Sequence, residues 1–482
     1  MISKIHLHQI GPVADLEAEF GPRLNLITGD NGLGKTFLLD ACWFALTRTW
    51  AGGKSLYPTP DVPKKDPPHI DYTVSTRSQP GIRESRSANY HFANQEWRSS
   101  KKPFARPGLV VYVRVDGGFS VWDPARNGWW DHELNLAEHT PDRPPAFQFS
   151  NNQVWEGMEE DPEGRKKTIC NGLLRDVETW RLKGNGAFKL LQNVLKGISS
   201  GGEETLSIGQ SVRVRIDDAR DIPTLKMPYG LVPVTQAAAG MRRVLALAYM
   251  LVWTWDEHCR VSELEKEEPS SSIVLLFDEV DAHLHPQWQR VFLPSLLEAV
   301  SSLLRNRQPG VSVDEIQAQP YPKAKSTPNE GKLLTTNYDM LREDYAEGES
   351  LPQEANPQSV QIIATTHAPL VLASIETRFD DVTDKLFLFD LHGHEVQFNS
   401  IPWAKRGDAS AWLRSPSLGL VQARSKEAEE AIEVAQRWMS NDRQNLPSHL
   451  NSEDKIHNRL VEVLGEFDDF WPRWIVKREG QK

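Results

Sequence analysis

Residues 29–36 read Gly-Asp-Asn-Gly-Leu-Gly-Lys-Thr, and this octet restricts the fold more tightly than any other stretch of the chain. It fits the pattern G-x-x-x-x-G-K-[ST]. Before it stands Leu24-Asn25-Leu26-Ile27-Thr28, an apolar run of strand length. After it, Phe37 to Leu46 has helix length and an apolar face. A strand, a glycine turn and a helix in that order are what phosphate binding requires. Gly29, Asp30, Asn31, Gly32, Leu33 and Gly34 let backbone N–H groups turn inward around phosphate oxygens, and the following helix adds its positive dipole end. Lys35 is placed to reach the β- and γ-phosphates of a nucleoside triphosphate, and the Thr36 hydroxyl to ligate Mg²⁺. The expected cofactors are ATP and Mg²⁺.

A second element reads Ile273-Val274-Leu275-Leu276-Phe277-Asp278-Glu279, an apolar strand of the central parallel type that ends in paired acids. Asp278 at the strand tip can hold the Mg²⁺ water shell, and Glu279 can orient or deprotonate an attacking water. Alone, such a strand is weak evidence, because many strands end in a solvated acid. Behind the glycine octet it gains force. About 90 residues later Ile363-Ala364-Thr365-Thr366-His367-Ala368-Pro369 is a strand ending in a histidine. A neutral imidazole at His367 can hydrogen-bond the γ-phosphate or the lytic water.

The rest of the chain is organised around these elements. Ile5 and Leu7, then Leu16, Ala18 and Phe20, alternate like a short antiparallel pair. Residues 1–50 are the first half of the nucleotide domain, and 51–230 read as an inserted lid subdomain of strands and helices. Residues 51–107 look like loops with weak strands, and Leu109–Val115 with Phe119–Trp122 like a hairpin. Residues 231–400 are the second half, with a buried helix over Val244–Trp253 and a polar, Pro-rich stretch at 309–358 that reads as a flexible insertion. Residues 401–482 read as a helical C-terminal region, in which 423–480 alternate charged and apolar positions as amphipathic helices do.

Composition narrows the class. The 482 residues are 39% hydrophobic, so wholesale disorder is excluded, and no stretch approaches a membrane span. The N-terminal residues show no secretory pattern, and Cys42, Cys170 and Cys259 are far apart, which suits a reducing cytoplasm. A net charge of −11 argues against a surface devoted to nucleic acid. A local basic groove remains open, through Arg98, Lys101, Lys102 and Arg106 with Arg165, Lys166 and Lys167. Most of the sixteen tryptophans read as core or interface anchors, and Phe470-Trp471-Pro472-Arg473-Trp474 as packing on its own helices or, less favoured, a docking segment.

The order and content of these motifs resemble the ATP-binding-cassette ATPases of the SMC, RecF and OLD kind. Asp278-Glu279-Val280-Asp281-Ala282-His283-Leu284-His285-Pro286 is close to that group's D-E-x-x-x-x-L-H-P phrase. A zinc reading of His283 and His285 is disfavoured, since i,i+2 spacing does not put both on one helix face. The resemblance implies an α/β fold of the ABC-type P-loop ATPase class: a mixed central sheet with flanking helices, an inserted lid and a helical C-terminal region. It makes Val280-Asp281-Ala282 a loop that touches an opposite subunit. Thr235-Gln236-Ala237-Ala238-Ala239-Gly240-Met241-Arg242-Arg243 matches the family's signature, S-x-G-x-x-R, except that Ala238 stands where serine is expected. One hydroxyl contact to a partner's γ-phosphate is thereby lost, while Gly240 and the helix N-terminus remain. The family's metal-side glutamine is assigned to Gln95, with Gln79 as the rival.

In this family two chains pair head-to-tail, each ATP clasped by Lys35 of one and Gly240 of the other. Long heptad arms, a CxxC hook, an acidic TOPRIM cluster and an H-N-H pattern are all missing. What remains resembles stand-alone ATPase subunits of phage-defence pairs, similar to Septu PtuA and PARIS AriA, in which the ATPase controls a separate HNH or TOPRIM nuclease or a toxin. The alternatives are a RecF-like DNA repair ATPase and an ATP-binding scaffold with little hydrolysis.

Overall fold

The glycine octet leaves a strand buried at every position. Leu24–Gly29 lies inside an eight-stranded sheet, parallel to Ser359–Thr365 on one side and to Lys385–His392 on the other. In this computed structural model the described residues are 1–59, 66–75, 83–99, 107–128, 130–131, 136–137, 143–160, 166–184, 186–199, 205–305, 359–415, 418, 424–442 and 446–479. The order across the sheet is Phe147–Phe149, Phe119–Trp122, Leu109–Val113, Ser272–Phe277, Ser359–Thr365, Leu24–Gly29, Lys385–His392 and Glu395–Ile401. The five strands from Leu109–Val113 to Lys385–His392 run parallel, and antiparallel strands close both edges. Unbroken apolar runs such as Ile273–Phe277 belong in such a place, covered on both faces.

A second sheet of five antiparallel strands takes Asp15–Glu19, Ile2–His8, His69–Ser75, Arg83–His91 and Glu96–Ser99 in that order. Its alternation is strict: Ile5, Leu7, Leu16, Ala18, Ile70, Tyr72 and Val74 are buried, and the residues between them face out. The helix Lys35–Thr47 is buried along most of its length, and its Leu38, Leu39, Trp43 and Leu46 share one core with both sheets. Each such side chain contributes roughly 1.5–3 kcal/mol. The buried amide of Gln361, on a central strand, accepts from Ile2 N–H (3.0 Å) and donates to the carbonyls of Ile2 (2.7 Å) and Gly21 (2.9 Å), tying the small sheet to the large one.

The segment 51–230 thus supplies strands to both sheets as well as the helices Leu173–Lys183 and Gly186–Ser199, which pack on one another. The long helix Ala239–Glu265 packs on Gly186–Ser199 and on Phe292–Arg305. Residues 309–358 lie outside the described residues. The chain divides into two compact units, Met1–Trp403 and Ala404–Lys482. In the second, Phe470 and Trp474 are buried with Ala435, Ile456 and Leu460, and Trp474 Nε1–H donates to His457 Nδ1 (3.1 Å), so this aromatic segment packs on its own helices. The three cysteines are buried and unpaired with each other. Among the described residues no helix is long and apolar enough to cross a membrane.

Candidate functional site

The site forms where the parallel strands end, the edge at which open α/β sheets bind ligands. The tips are knitted by backbone bonds: Asp278 N–H to Val113 O (2.9 Å), Val280 N–H to Thr365 O (2.9 Å) and Thr366 N–H to Ile27 O (3.0 Å). Gly29, Gly32 and Gly34 take positive φ values of 132°, 81° and 112°. A Cβ on Gly32 would meet nothing within 4 Å, so the turn is open where a phosphate would enter. Lys35 is buried, and its ammonium donates to the carbonyls of Gly29 (2.7 Å) and Asp30 (2.8 Å). Burial pulls its pKa below the usual lysine value, against the opposing pull of the Glu279, Asp278, Asp30 and Asp281 carboxylates.

The strand register sets the next group. Phe277 is paired with Ala364, which places Asp278 beside Thr365. Asp278 is buried and accepts from Thr36 Oγ1–H (2.8 Å) on one carboxylate oxygen and from Thr365 Oγ1–H (2.8 Å) on the other. The Thr365 hydroxyl in turn accepts from the Glu279 N–H (2.7 Å). Hydroxyl and carboxylate oxygens are hard donors of the kind Mg²⁺ takes, usually with waters and phosphate oxygens completing its shell. The open turn and this oxygen set fit a Mg²⁺–triphosphate, which Lys35, Thr36 and Asp278 would hold.

Glu279 sits at φ 49°, a left-handed turn that ends the strand. Two residues on, the buried Asp281 accepts from Thr366 Oγ1–H (2.6 Å) and lies 3.3 Å from His367 Nε2. His367 is 46% exposed and Asp281 only 3%. An imidazole with one nitrogen fixed by a buried carboxylate presents the other in a set direction.

Ala238 is the N-cap of the helix Ala239–Glu265; it gives no side-chain cap bond, and the first turn holds no acid. This end is exposed, so its N–H groups are open to an anion. Gly240 has a packing reason to be glycine: a Cβ there would stand 2.4 Å from His283 O. Arg243 donates to the carbonyls of Asp278 (2.8 Å) and Glu279 (3.1 Å). The start of Ala239–Glu265 and the loop after Phe277 are therefore joined within one chain. His285 caps the short helix Pro286–Gln289 by accepting from Gln287 N–H (3.3 Å), a structural task.

Gln95 is not brought to this cluster. It is exposed in the turn between Arg83–His91 and Glu96–Ser99, at φ 53°. The loop that reaches the tip of the acid strand follows Leu109–Val113 and reads Arg114-Val115-Asp116-Gly117-Gly118, with no glutamine. Gln79 lies outside the described residues, as do Lys101, Lys102, Arg106 and Arg165. Arg98 is ion-paired with Glu96 at 2.7 Å.

Three participants escaped sequence reasoning. Thr365 and Thr366 sit in the quoted strand, but their roles depend on cross-strand register. Asp40, one helical turn after Thr36, bonds the buried Tyr112 and faces Asp278; burial, then the Asp278 charge, raises its pKa to about 7. Its spacing of four from Thr36 was the available signal.

Residues 4–97 match the family model of the AAA domain. No curated protein matches. Among solved structures, the SMC head domain from Thermotoga maritima is 10% identical, covering 83% of this chain and 98% of that one, with a TM-score of 0.35. An SMC head bound to the C-terminal winged-helix domain of ScpA gives 12%, 83%, 97% and 0.40 in the same terms. The recombination mediator protein RecF with ATP gives 12%, 83%, 97% and 0.33.

Proposed function

We propose that this chain is an ATP-binding and ATP-hydrolysing enzyme of the SMC and RecF kind. The observation that carries the reading is the cluster at the strand tips, in which Thr36, Asp278 and Thr365 are bonded in series and Glu279 is fixed by the same Thr365 hydroxyl. Mg²⁺, when bound, neutralises charge on the transferring phosphoryl group. Lys35 leaves its loop carbonyls for the phosphate oxygens. Glu279, held at its backbone by Thr365, orients the attacking water, and His367, steadied by Asp281, reaches the γ-phosphate. Purified protein should hydrolyse ATP only with Mg²⁺, and Lys35→Ala should abolish turnover; hydrolysis that persists in this variant would refute the assignment.

The uncapped, acid-free and exposed start of Ala239–Glu265 supports the second part of the proposal, a head-to-tail dimer in which Ala238 and Gly240 face the partner's nucleotide. In such a pair, ATP joins the subunits and hydrolysis releases them, and that state is relayed to a separate effector, such as a nuclease or toxin in anti-phage defence. Ala238 favours a second reading, an ATP-dependent scaffold with slow turnover, because no hydroxyl stands at the helix cap. Tight ATP binding without measurable phosphate release would select it. Hydrolysis stimulated by duplex DNA, with binding that weakens steeply in salt, would instead select a repair role of the RecF kind.

A further inference from the structure

The outward face of the five-stranded sheet carries a group of side chains that the ATPase reading does not use. His6 and His8 alternate with the buried Ile5 and Leu7 on the first strand. Across the ladder His8 is paired with His69 and His6 with Asp71, while on the other side His8 is paired with Asp15. Three imidazoles and two carboxylates therefore share one face, and Asp66, just before the third strand, joins them. The rings are close: His8 stacks on His69 with centroids 4.7 Å apart, and His6 meets His69 edge-on at 5.8 Å.

We infer that His6, His69 and Asp71 form a binding site for a divalent transition metal ion of the zinc class. Each offers one donor atom, and the three donors lie within 4.8 Å of one another. Two ligands of one tetrahedral ion, each about 2.1 Å from it, stand about 3.4 Å apart. His69 Nε2 and Asp71 Oδ2 are 3.7 Å apart, too long for a hydrogen bond but near that spacing. His69 Nδ1 is 3.1 Å from Pro67 O, so it carries the proton, and Nε2 keeps the lone pair a metal needs.

The surroundings are ordered as metal-binding histidines require. His8 is clamped between two carboxylates, with Nδ1 2.6 Å from Asp15 Oδ1 and Nε2 2.9 Å from Asp66 Oδ2. It has no lone pair to spare; stacked on His69, it sets the plane of that ring. Asp15 also lies 3.2 Å from His6 Nε2, which ties the second imidazole to the same shell. Such outer partners typically govern 10- to 100-fold in metal affinity. A metal here would clip the first strand to the third at the sheet's outer surface. Two imidazoles and one carboxylate suit Zn²⁺, Co²⁺ or Ni²⁺ and disfavour Mg²⁺.

The test titrates the full-length chain, freed of metal, with Co²⁺ in excess Mg²⁺, so that the Thr36–Asp278 oxygens are occupied. Wild type should take one equivalent with the visible ligand-field absorption of a nitrogen- and oxygen-ligated Co²⁺, displaced by Zn²⁺. His69→Ala and the isosteric Asp71→Asn should lose that absorption, and His8→Gln should weaken it about 10- to 100-fold. Lys35→Ala should leave it intact, which keeps this result separate from the fate of the ATPase assignment. Circular dichroism checks that each variant is folded. No visible absorption in wild type, or undiminished absorption in folded Asp71→Asn, would overturn the inference.

Discussion

Asp40 gives the sharpest quantitative prediction. It is mostly buried beneath the strand tips, hydrogen-bonded to Tyr112 and repelled by Asp278, and its pKa is raised from an ordinary 3.8 to about 7. Burial is the larger cause. Between those two values the folded chain binds a proton that the unfolded chain has already released, so stability falls as pH rises and levels off above pH 7. At about 1.4 kcal/mol per pH unit, the full window is worth about 4 kcal/mol. Asp40→Asn keeps the shape and an acceptor for Tyr112 but has no charge to bury. The variant should therefore match wild type near pH 4, exceed it by about 1.5 kcal/mol at pH 5, and by about 4 kcal/mol at pH 8. Urea unfolding of both proteins across pH 4–9 measures the gap. A gap that does not change with pH, or that shrinks as pH rises, would refute the reasoning.

Other perturbations follow from the same neighbourhood. Thr365→Val leaves the Glu279 N–H without its acceptor and removes one donor to Asp278; we expect a loss of roughly 1–3 kcal/mol in stability and a fall in kcat, with ATP affinity retained in a binding assay. Gly240→Ala forces a Cβ against the His283 carbonyl, which should cost roughly 1–3 kcal/mol in urea unfolding and reduce ATP turnover; an unchanged variant would show that this approach is not tight. Glu279→Gln should accumulate an ATP-bound dimer on size exclusion, and a variant that stays monomeric with saturating ATP would refute the paired arrangement.

The sequence exposed those parts of the site that are contiguous along the chain. The glycine octet, the acid-ended strand and the strand ending at His367 each carry their own periodicity and their own chemistry, so each could be read locally. The register of Ser272–Phe277 against Ser359–Thr365 could not, and that register alone makes Thr365 the link between Asp278 and Glu279. The small sheet was obscured differently. Ile70, Tyr72 and Val74 alternate clearly, but they lie in a Pro- and Ser-rich region, and their partner strand is near the N-terminus. Gln95 matches by residue type alone. Position along the sheet decides instead, because the strand beside the acid strand is Leu109–Val113.

The joint between Gly240, Arg243 and the acid loop has a mechanical meaning. The helix that starts there has 27 residues and is about 40 Å long. Its base rests on the carbonyls of Asp278, Glu279 and His283, the turn that carries the acid proposed to orient water. By simple leverage, tilting this base by about 5° would sweep the far end through roughly 3.5 Å. In the proposed ATPase, an event at a single oxygen of the nucleotide would thus be read out at Glu265, about 40 Å along a rigid pointer.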